Sequence, residues 1–189
     1  MNKSQKLKTE YEIRPDTMAI IPHTYGSKTF SMVKETTDSF IVPKKPLEII
    51  KESCGYFGSS YPGRKEGTKQ LMSITHKAPV AIDPYHFIYF FPTHSPSREQ
   101  CSWISLLHVL HFSETNQNDT DVKFVNNEVV TIPTSIDAFR SQLFRTSFLM
   151  VRFIQRMDLP SKKWFMIPPK VENGQAFEEP LFINSLFNR

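Results

Sequence analysis

The sequence predicts an α+β fold: an antiparallel β-rich single domain with a short helix near 46–54, one long helix near 135–158 and a C-terminal tail. The 189 residues are 39% hydrophobic and include 16 Phe, which is enough apolar material for a buried core. The 14 Pro separate short runs of β-branched and aromatic residues, the pattern of many short strands. One segment near the C-terminus has the helical period over about six turns.

The first three strands are predicted at 18–21, 30–33 and 39–42, where apolar residues are separated by Gly26 and by a polar turn. A short helix follows them. Pro46 stands in its first turn and Gly55 follows its last, which is the usual punctuation of a helix.

The middle of the chain is predicted to be antiparallel β-structure, with turns at the prolines. Further strands are expected at 71–75, 80–82, 87–91 and 103–112. A hairpin is predicted over 121–133, because apolar residues alternate on both sides of Asn126-Asn127. The acidic segment 113–121 before it is expected to be an exposed loop.

The long helix is predicted from Ser135 to Asp158, after a capping pattern and before Pro160. At about 100° per residue, Arg145, Arg152 and Arg156 fall close together on the face opposite the apolar one. A row of guanidinium groups can follow a row of phosphates, since each presents a fixed fork of donors. The alternative is an ordinary solvated face.

The segment GSSYPGRKEGT, residues 58–68, places three of the chain's six glycines beside two cations. Its first spacing matches a Walker A loop, but Arg64 and Lys65 stand where that motif has Lys followed by Ser or Thr. We therefore expect Gly58, Gly63 and Gly67 to shape a loop that grips a phosphate backbone. A plain turn with solvated charges is the alternative.

The charge balance permits a polyanionic partner, since 23 Lys+Arg against 19 Asp+Glu give a net charge of +4. No helix-turn-helix, zinc-finger or RNP signature is present. The candidate DNA-binding residues are the cations outside the acidic segment: Arg64, Lys65, Lys69, Lys77, Arg98, Arg145, Arg152 and Arg156.

No enzymatic chemistry is predicted. Cys54 and Cys101 have no local catalytic signature, and His108 and His111 would point to opposite faces of the predicted strand, so neither a metal nor another cofactor is expected. The N-terminus has no apolar signal region and no window is long and apolar enough for a membrane helix. We therefore expect a cytoplasmic protein that does not enter a membrane.

Four blocks of unusual residues closely resemble the ComK family of competence transcription factors of Gram-positive bacteria. They are CGYFGSSYPGRKEGT at 54–68, ITHKAP at 74–79, FFPT at 90–93 and QCSWIS at 100–105, within a resemblance over roughly 10–170. It implies a nucleoid-associated activator of DNA-uptake genes that binds paired AT-rich boxes through the minor groove, as dimers and dimers of dimers. RNA polymerase is then a candidate partner. A general nucleic-acid or protein-interaction module without promoter activation is the alternative.

Two regions are predicted, a DNA-binding domain over 1–159 and a tail over 160–189. In the tail, WFMIPPK at 164–170 resembles the family's Phe-Met-Leu-Tyr-Pro-Lys segment, which a Clp-protease adaptor of the MecA type captures. The resemblance implies the adaptor-binding residues Phe165, Met166, Ile167, Pro169 and Lys170, with Ile167-Pro168 in place of Leu-Tyr. The alternative is a proline-rich tail that packs onto the domain.

Overall fold

The structure, a computed structural model, describes residues 6–157. The chain divides into two compact units, Met1–Phe153 and Ile154–Arg189. The fold below is that of the first unit; of the second, residues 154–157 are described, and the last helix ends within them. The predicted domain boundary after residue 159 lies outside the described residues and stays a prediction.

The described residues form ten strands and three α-helices. The helices are α1 (Pro46–Tyr56), α2 (Tyr61–Met72) and α3 (Ile136–Arg156). The strands are β1 (Lys6–Leu7), β2 (Thr17–Tyr25), β3 (Lys28–Glu35), β4 (Ser39–Val42), β5 (Val80–Asp83), β6 (Ile88–Pro92), β7 (Trp103–Ser105), β8 (Val109–Glu114), β9 (Thr120–Phe124) and β10 (Val129–Ile132). The predicted α+β class is confirmed, and so are α1, α3 and the β9–β10 hairpin.

The strands form two sheets. The larger has seven strands in the order β1-β4-β3-β2-β7-β6-β5, in which only β1 and β4 run parallel. The smaller has three antiparallel strands in the order β10-β9-β8. A 3₁₀ turn at Leu106–His108 carries the chain from β7 in one sheet to β8 in the other.

Both faces of the larger sheet are buried, because side chains alternate along each strand and each face has its own cover. Ile20, Phe90 and Trp103 pack in one core cluster with Ile49 and Ile50 of α1. Their strand neighbours form a second cluster with the smaller sheet and α3, which includes Ala19, Phe91, Ile104, Val122, Phe124 and Phe139. The larger sheet is therefore the rigid centre to which all other elements are attached.

The predicted glycine loop is wrong in its central part, because residues 61–72 form helix α2. Gly63 and Gly67 are helical residues, and only Gly58, at φ +68°, shapes a turn, between α1 and α2. Ser60 begins the helix as its N-cap: the hydroxyl oxygen accepts a bond from the amide of Gly63 at 3.1 Å. Thr68 and Tyr61 are buried beneath the helix and attach it to the domain.

Two predicted strands are also wrong. Residues 71–75 contain the end of α2, which stops where Ser73 adopts a left-handed conformation at φ 57°. The long strand predicted over 103–112 is divided by the 3₁₀ turn into β7 and β8, which belong to different sheets. The exposed loop predicted over 113–121 is wrong at both ends, because it includes the end of β8 and the start of β9 with the buried Thr120; only 115–119 connect the two strands.

Replacing the cap of α2 should destabilise the protein measurably. Ser60→Ala removes the acceptor of the Gly63 amide, so we expect the free energy of unfolding to fall by about 0.5–2 kcal/mol. Ser59→Ala is the matched control, since that serine side chain makes no hydrogen bond within residues 6–157, and its effect should stay within about 0.5 kcal/mol. Urea denaturation of both variants measures the difference. Equal losses would contradict the capping role.

Candidate nucleic-acid interface

Four separate chain segments meet at one end of the larger sheet. β2 runs towards this end and β3 returns from it, so the connection around Gly26 lies there. β4 and β6 also end there, while β5 and β7 begin there, as the antiparallel pairing requires. The segments are 22–31, 43–45, 73–79 and 93–102. We call the surface that they form the basic end.

The basic end carries cations from every one of these segments: Lys28, Lys44, Lys45, Lys77 and Arg98. Lys44 and Lys45 are paired with Glu52 at 2.6 Å and with Glu99 at 3.4 Å. Within residues 6–157, the ion pairs do not include Lys28, Lys77 or Arg98. These three charges are therefore available to a ligand.

Two more predicted cations, Lys65 and Lys69 of α2, lie next to this surface. They line one side of a groove of about 370 Å³ whose other side is formed by Ile74, Thr75 and Ala78. Lys69 is half exposed and its ammonium lies 3.5 Å from Glu66 of the same helix. The groove therefore continues the basic end along the outer side of α2.

Gln142 of α3 connects the segments that carry these charges. Its side chain is only 3% exposed, and its amide nitrogen donates to the carbonyl oxygens of Lys77 at 2.9 Å and Pro92 at 2.7 Å. The amide oxygen of Gln142 lies 3.5 Å from the guanidinium of Arg145 on the next turn. Through Gln142, the turn of α3 that carries a fifth predicted cation, Arg145, is joined to the backbone of Lys77.

The positive charge at the basic end affects the pKa of His94, which lies between β6 and β7. Burial, followed by the positive charges of Lys77 and Arg98, lowers the pKa of this imidazole below its ordinary value. The imidazole is therefore neutral at neutral pH, and the local surplus of positive charge opposes its protonation. An anion placed here would have the opposite effect.

Arg64 does not extend from the surface as the sequence suggested. Its guanidinium Nη2 donates to the carbonyl oxygen of Ile82 in β5 at 3.2 Å, and its Nε is buried. Its charge lowers the pKa of the buried Cys54 and Tyr89, against the larger effect of burial. Arg64 thus attaches α2 to the sheet, and its contact with DNA remains a prediction.

The remaining helical arginines are exposed on α3. The guanidinium carbon of Arg152 lies 4.8 Å from the centre of the Phe148 ring, a cation–π contact. Arg156 belongs to the second unit, where it stands at the end of α3. DNA contacts by these two residues remain predictions.

The opposite end of the larger sheet has a different character. Asp16, Glu35, Asp38 and Asp83 lie there, at the starts and turns of the strands. Lys6 and Lys34, which reach the same end, are held in ion pairs with Asp38 and Glu128. Arg14 lies at the same end beside Thr17, exposed and outside the ion pairs of the described residues, so this end carries both signs of charge and differs from the basic end in its larger number of carboxylates.

The nucleophilic and metal-binding groups offer no second site among the described residues. Burial raises the pKa of both Cys54 and Cys101 to about 11, which keeps the thiols protonated. Across residues 6–157, no group of three His, Cys, Asp or Glu side chains could hold a metal ion. In the same range no helix is long and apolar enough to span a bilayer.

Five contributors to the basic end were missed in the sequence: Lys28, Lys44, Lys45, His94 and Gln142. Lys28 follows Gly26 between two β-type runs, and that hairpin signal could have placed it at a tip. His94 and Gln142 carry no local signal, because their neighbours come from segments far away in the chain. The adaptor-binding residues predicted at 165–170 lie outside the described residues.

Comparison with known proteins gives one consistent result. The family model described as ComK protein matches residues 8–158. The chain is 42% identical over 164 residues to the competence transcription factor of Bacillus subtilis (strain 168), covering 86% of this chain and 85% of that protein. No solved structure matches. The match to the family model covers strands β2 to β10 and the three helices described above, with β1 just before it, and the chain belongs to the ComK protein family.

Proposed function

We propose that this protein is a competence transcription activator that binds paired AT-rich boxes in double-stranded DNA through the minor groove. The observation that carries the proposal is the convergence of cations from four chain segments at the basic end. The similarity to a protein named competence transcription factor supports it. The protein would act in the cytoplasm at the nucleoid, without catalysis, and with RNA polymerase as a further partner at promoters.

The geometry of the basic end suits a duplex better than a small anion. Its cations come from separated loops and from one helix, so they form a spread surface rather than a closed pocket. Duplex DNA carries about one charge per 1.7 Å of axis, which rewards several separate cations at once. The narrow minor groove of A-tracts adds a strong negative potential and offers little code beyond A·T against G·C.

We also propose that the chain binds as a homo-oligomer, because paired boxes in DNA require repeated protein units with matching spacing. Dimers, and dimers of dimers on DNA, are the expected assemblies. Sedimentation of the protein on a duplex with two boxes gives the number of chains bound. One chain per two-box duplex at micromolar concentrations would contradict this part of the proposal.

The first test compares an AT-rich two-box duplex with a G·C-rich duplex of equal length. We expect tighter binding to the AT-rich duplex at every salt concentration, since both duplexes share the phosphate term and differ only in the groove. Fluorescence anisotropy titrations with the full chain measure both affinities. Equal affinities would favour a general nucleic-acid-binding module and would contradict box recognition.

Single cation variants test whether the basic end is the surface used. Lys69→Ala and Arg98→Ala should each weaken binding to both duplexes by the same factor. Each should also reduce the magnitude of the negative slope of log K against log salt by about one, as expected when one phosphate contact is lost. Lys123→Ala, on β9 of the smaller sheet, is the matched control and should leave affinity and slope unchanged. Arg64→Ala is less suitable, because it would also remove the bond to Ile82.

The outcome that would contradict this assignment is equally specific. If Lys123→Ala reduced the magnitude of the slope as much as Lys69→Ala and Arg98→Ala, cations over the whole surface would contribute equally to DNA binding. The basic end would then have no special role. Arg152→Ala, predicted to lower affinity uniformly, extends the same test to the exposed face of α3.

We further propose that the tail is captured by a Clp-protease adaptor of the MecA type. Phe165 and Met166 stand between Lys162-Lys163 and Pro168-Pro169, and the prolines predict an extended chain that would present side chains to a groove. The segment also includes Ile167, Pro169 and Lys170.

Replacing both Phe165 and Met166 by Ala should prolong the lifetime of the protein in degradation with adaptor and protease, and should leave DNA affinity unchanged. The reason is that the segment would lose two of its large apolar side chains, the kind of side chain that carries binding energy at interfaces. The same assay without the adaptor is the control. Equal lifetimes of variant and parent with the adaptor would contradict capture through this segment and would favour the alternative, a tail that packs onto the domain.

A further inference from the structure

The hairpin formed by β2 and β3 extends beyond the larger sheet. β2 pairs with β7 only at Ala19 and Ile20, and β3 pairs with β4 from Ser31 onwards. The two strands continue to pair with each other as far as Tyr25 and Lys28. Within residues 6–157, the last rungs of this hairpin therefore have no strand beside them. We call this two-stranded segment, residues 22–31, the ribbon.

The tip of the ribbon presents an aromatic ring and a cation. Tyr25 lies directly opposite Lys28 in the pairing, so their side chains share one face. Tyr25 is 65% exposed and stacks on Phe30, with ring centres 5.3 Å apart and ring planes 9° from parallel. Gly26, at φ 58°, allows the tight reversal between them.

The stacking of Tyr25 on Phe30 fixes the conformation of the tip before any ligand binds. An exposed tyrosine on its own is common and needs no special explanation. Here Phe30 holds the Tyr25 ring in one orientation at the farthest point of the ribbon, so little side-chain entropy remains to be lost on contact. The two stacked rings also form a thin, rigid and partly apolar edge at the tip of the ribbon.

The ribbon stands at the basic end, beside its cations. Thr29 of the ribbon lines a groove of about 170 Å³ together with Lys45, Lys51 and Arg98. A duplex lying on the basic end would therefore meet the ribbon along its edge. The nearest exposed charge on the tip itself is Lys28, which has the sign that a phosphate backbone attracts.

We propose that the ribbon tip enters the minor groove of the bound DNA and that the Tyr25 ring wedges against a base step, while Lys28 contacts the flanking phosphate. The inference rests on the proposed function, because it names how that surface reads its DNA. Apolar side chains inserted from the minor groove unstack a base step and bend the duplex, at a cost that flexible A·T-rich steps reduce. The ribbon thereby supplies shape recognition that the cations alone do not.

The test uses the full chain and an AT-rich two-box duplex with 2-aminopurine placed at successive steps. Tyr25→Ala should weaken binding by about 5- to 100-fold, the effect of removing one aromatic contact with a base, and should leave the salt slope unchanged. Binding of the parent should raise the fluorescence of 2-aminopurine at one step, and Tyr25→Ala should abolish that rise. Tyr25→Phe should behave as the parent, since the ring is retained.

Tyr85→Ala is the matched control, because Tyr85 is equally exposed, at 69%, in the turn at the opposite end of the sheet. It should leave affinity and fluorescence unchanged. Lys28→Ala should reduce the magnitude of the salt slope by about one. Thermal unfolding of each variant confirms that the tip substitutions leave the fold intact.

Two failures are distinguishable. If the parent binds the AT-rich duplex and Tyr25→Ala binds it equally well with the same fluorescence change, the ribbon has no part in recognition and the proposed function stands. An equal loss in Tyr85→Ala overturns the inference in the same way. If the parent itself shows no preference for the AT-rich duplex, the proposed function is contradicted, and with it the inference that rests on it.

Discussion

The buried amide of Gln142 is the contact on which the arrangement of the basic end depends. It donates to the carbonyl oxygens of Lys77 and Pro92, which lie beyond the ladder bonds of β5 and β6. A buried carbonyl left without a donor costs about 1–3 kcal/mol, and this one side chain satisfies the buried carbonyl of Pro92 together with the partly buried one of Lys77. The same contact attaches α3 to the segment that carries Lys77.

The difference in charge between the two ends follows from the topology of the sheet. Antiparallel strands place every second connection at the same end, so loops distant in sequence become neighbours. In this domain the loops at one end carry five Lys and Arg side chains and one Glu, and the other end carries Asp16, Glu35, Asp38 and Asp83 together with Arg14. The buried larger sheet holds the two ends apart, because both of its faces are closed by packed clusters.

Local patterns were sufficient for elements with strong signals and failed where tertiary packing decided. Pro46 marked the start of α1 correctly, whereas Gly55 lies inside the helix, which ends at Tyr56; Asn126-Asn127 gave the β9–β10 hairpin. Helix α2 was missed because glycines at 63 and 67 favour turns, although Ser60 and Pro62 are helix-start signals and the buried Tyr61 and Thr68 stabilise the helix. The basic end could not be predicted from spacing. Gln142 lies 65 residues from Lys77 along the chain, and only the folded topology joins them.

Hydrogen–deuterium exchange of the full chain, with and without a saturating AT-rich two-box duplex, locates the DNA on this surface most directly. The account predicts slower exchange on DNA binding in peptides from residues 22–31, 61–79 and 93–102, because a bound duplex would cover their amides. Exchange in the acidic connection 113–121 should be unchanged. Protection confined to the smaller sheet, with none in residues 61–79 or 93–102, would contradict it.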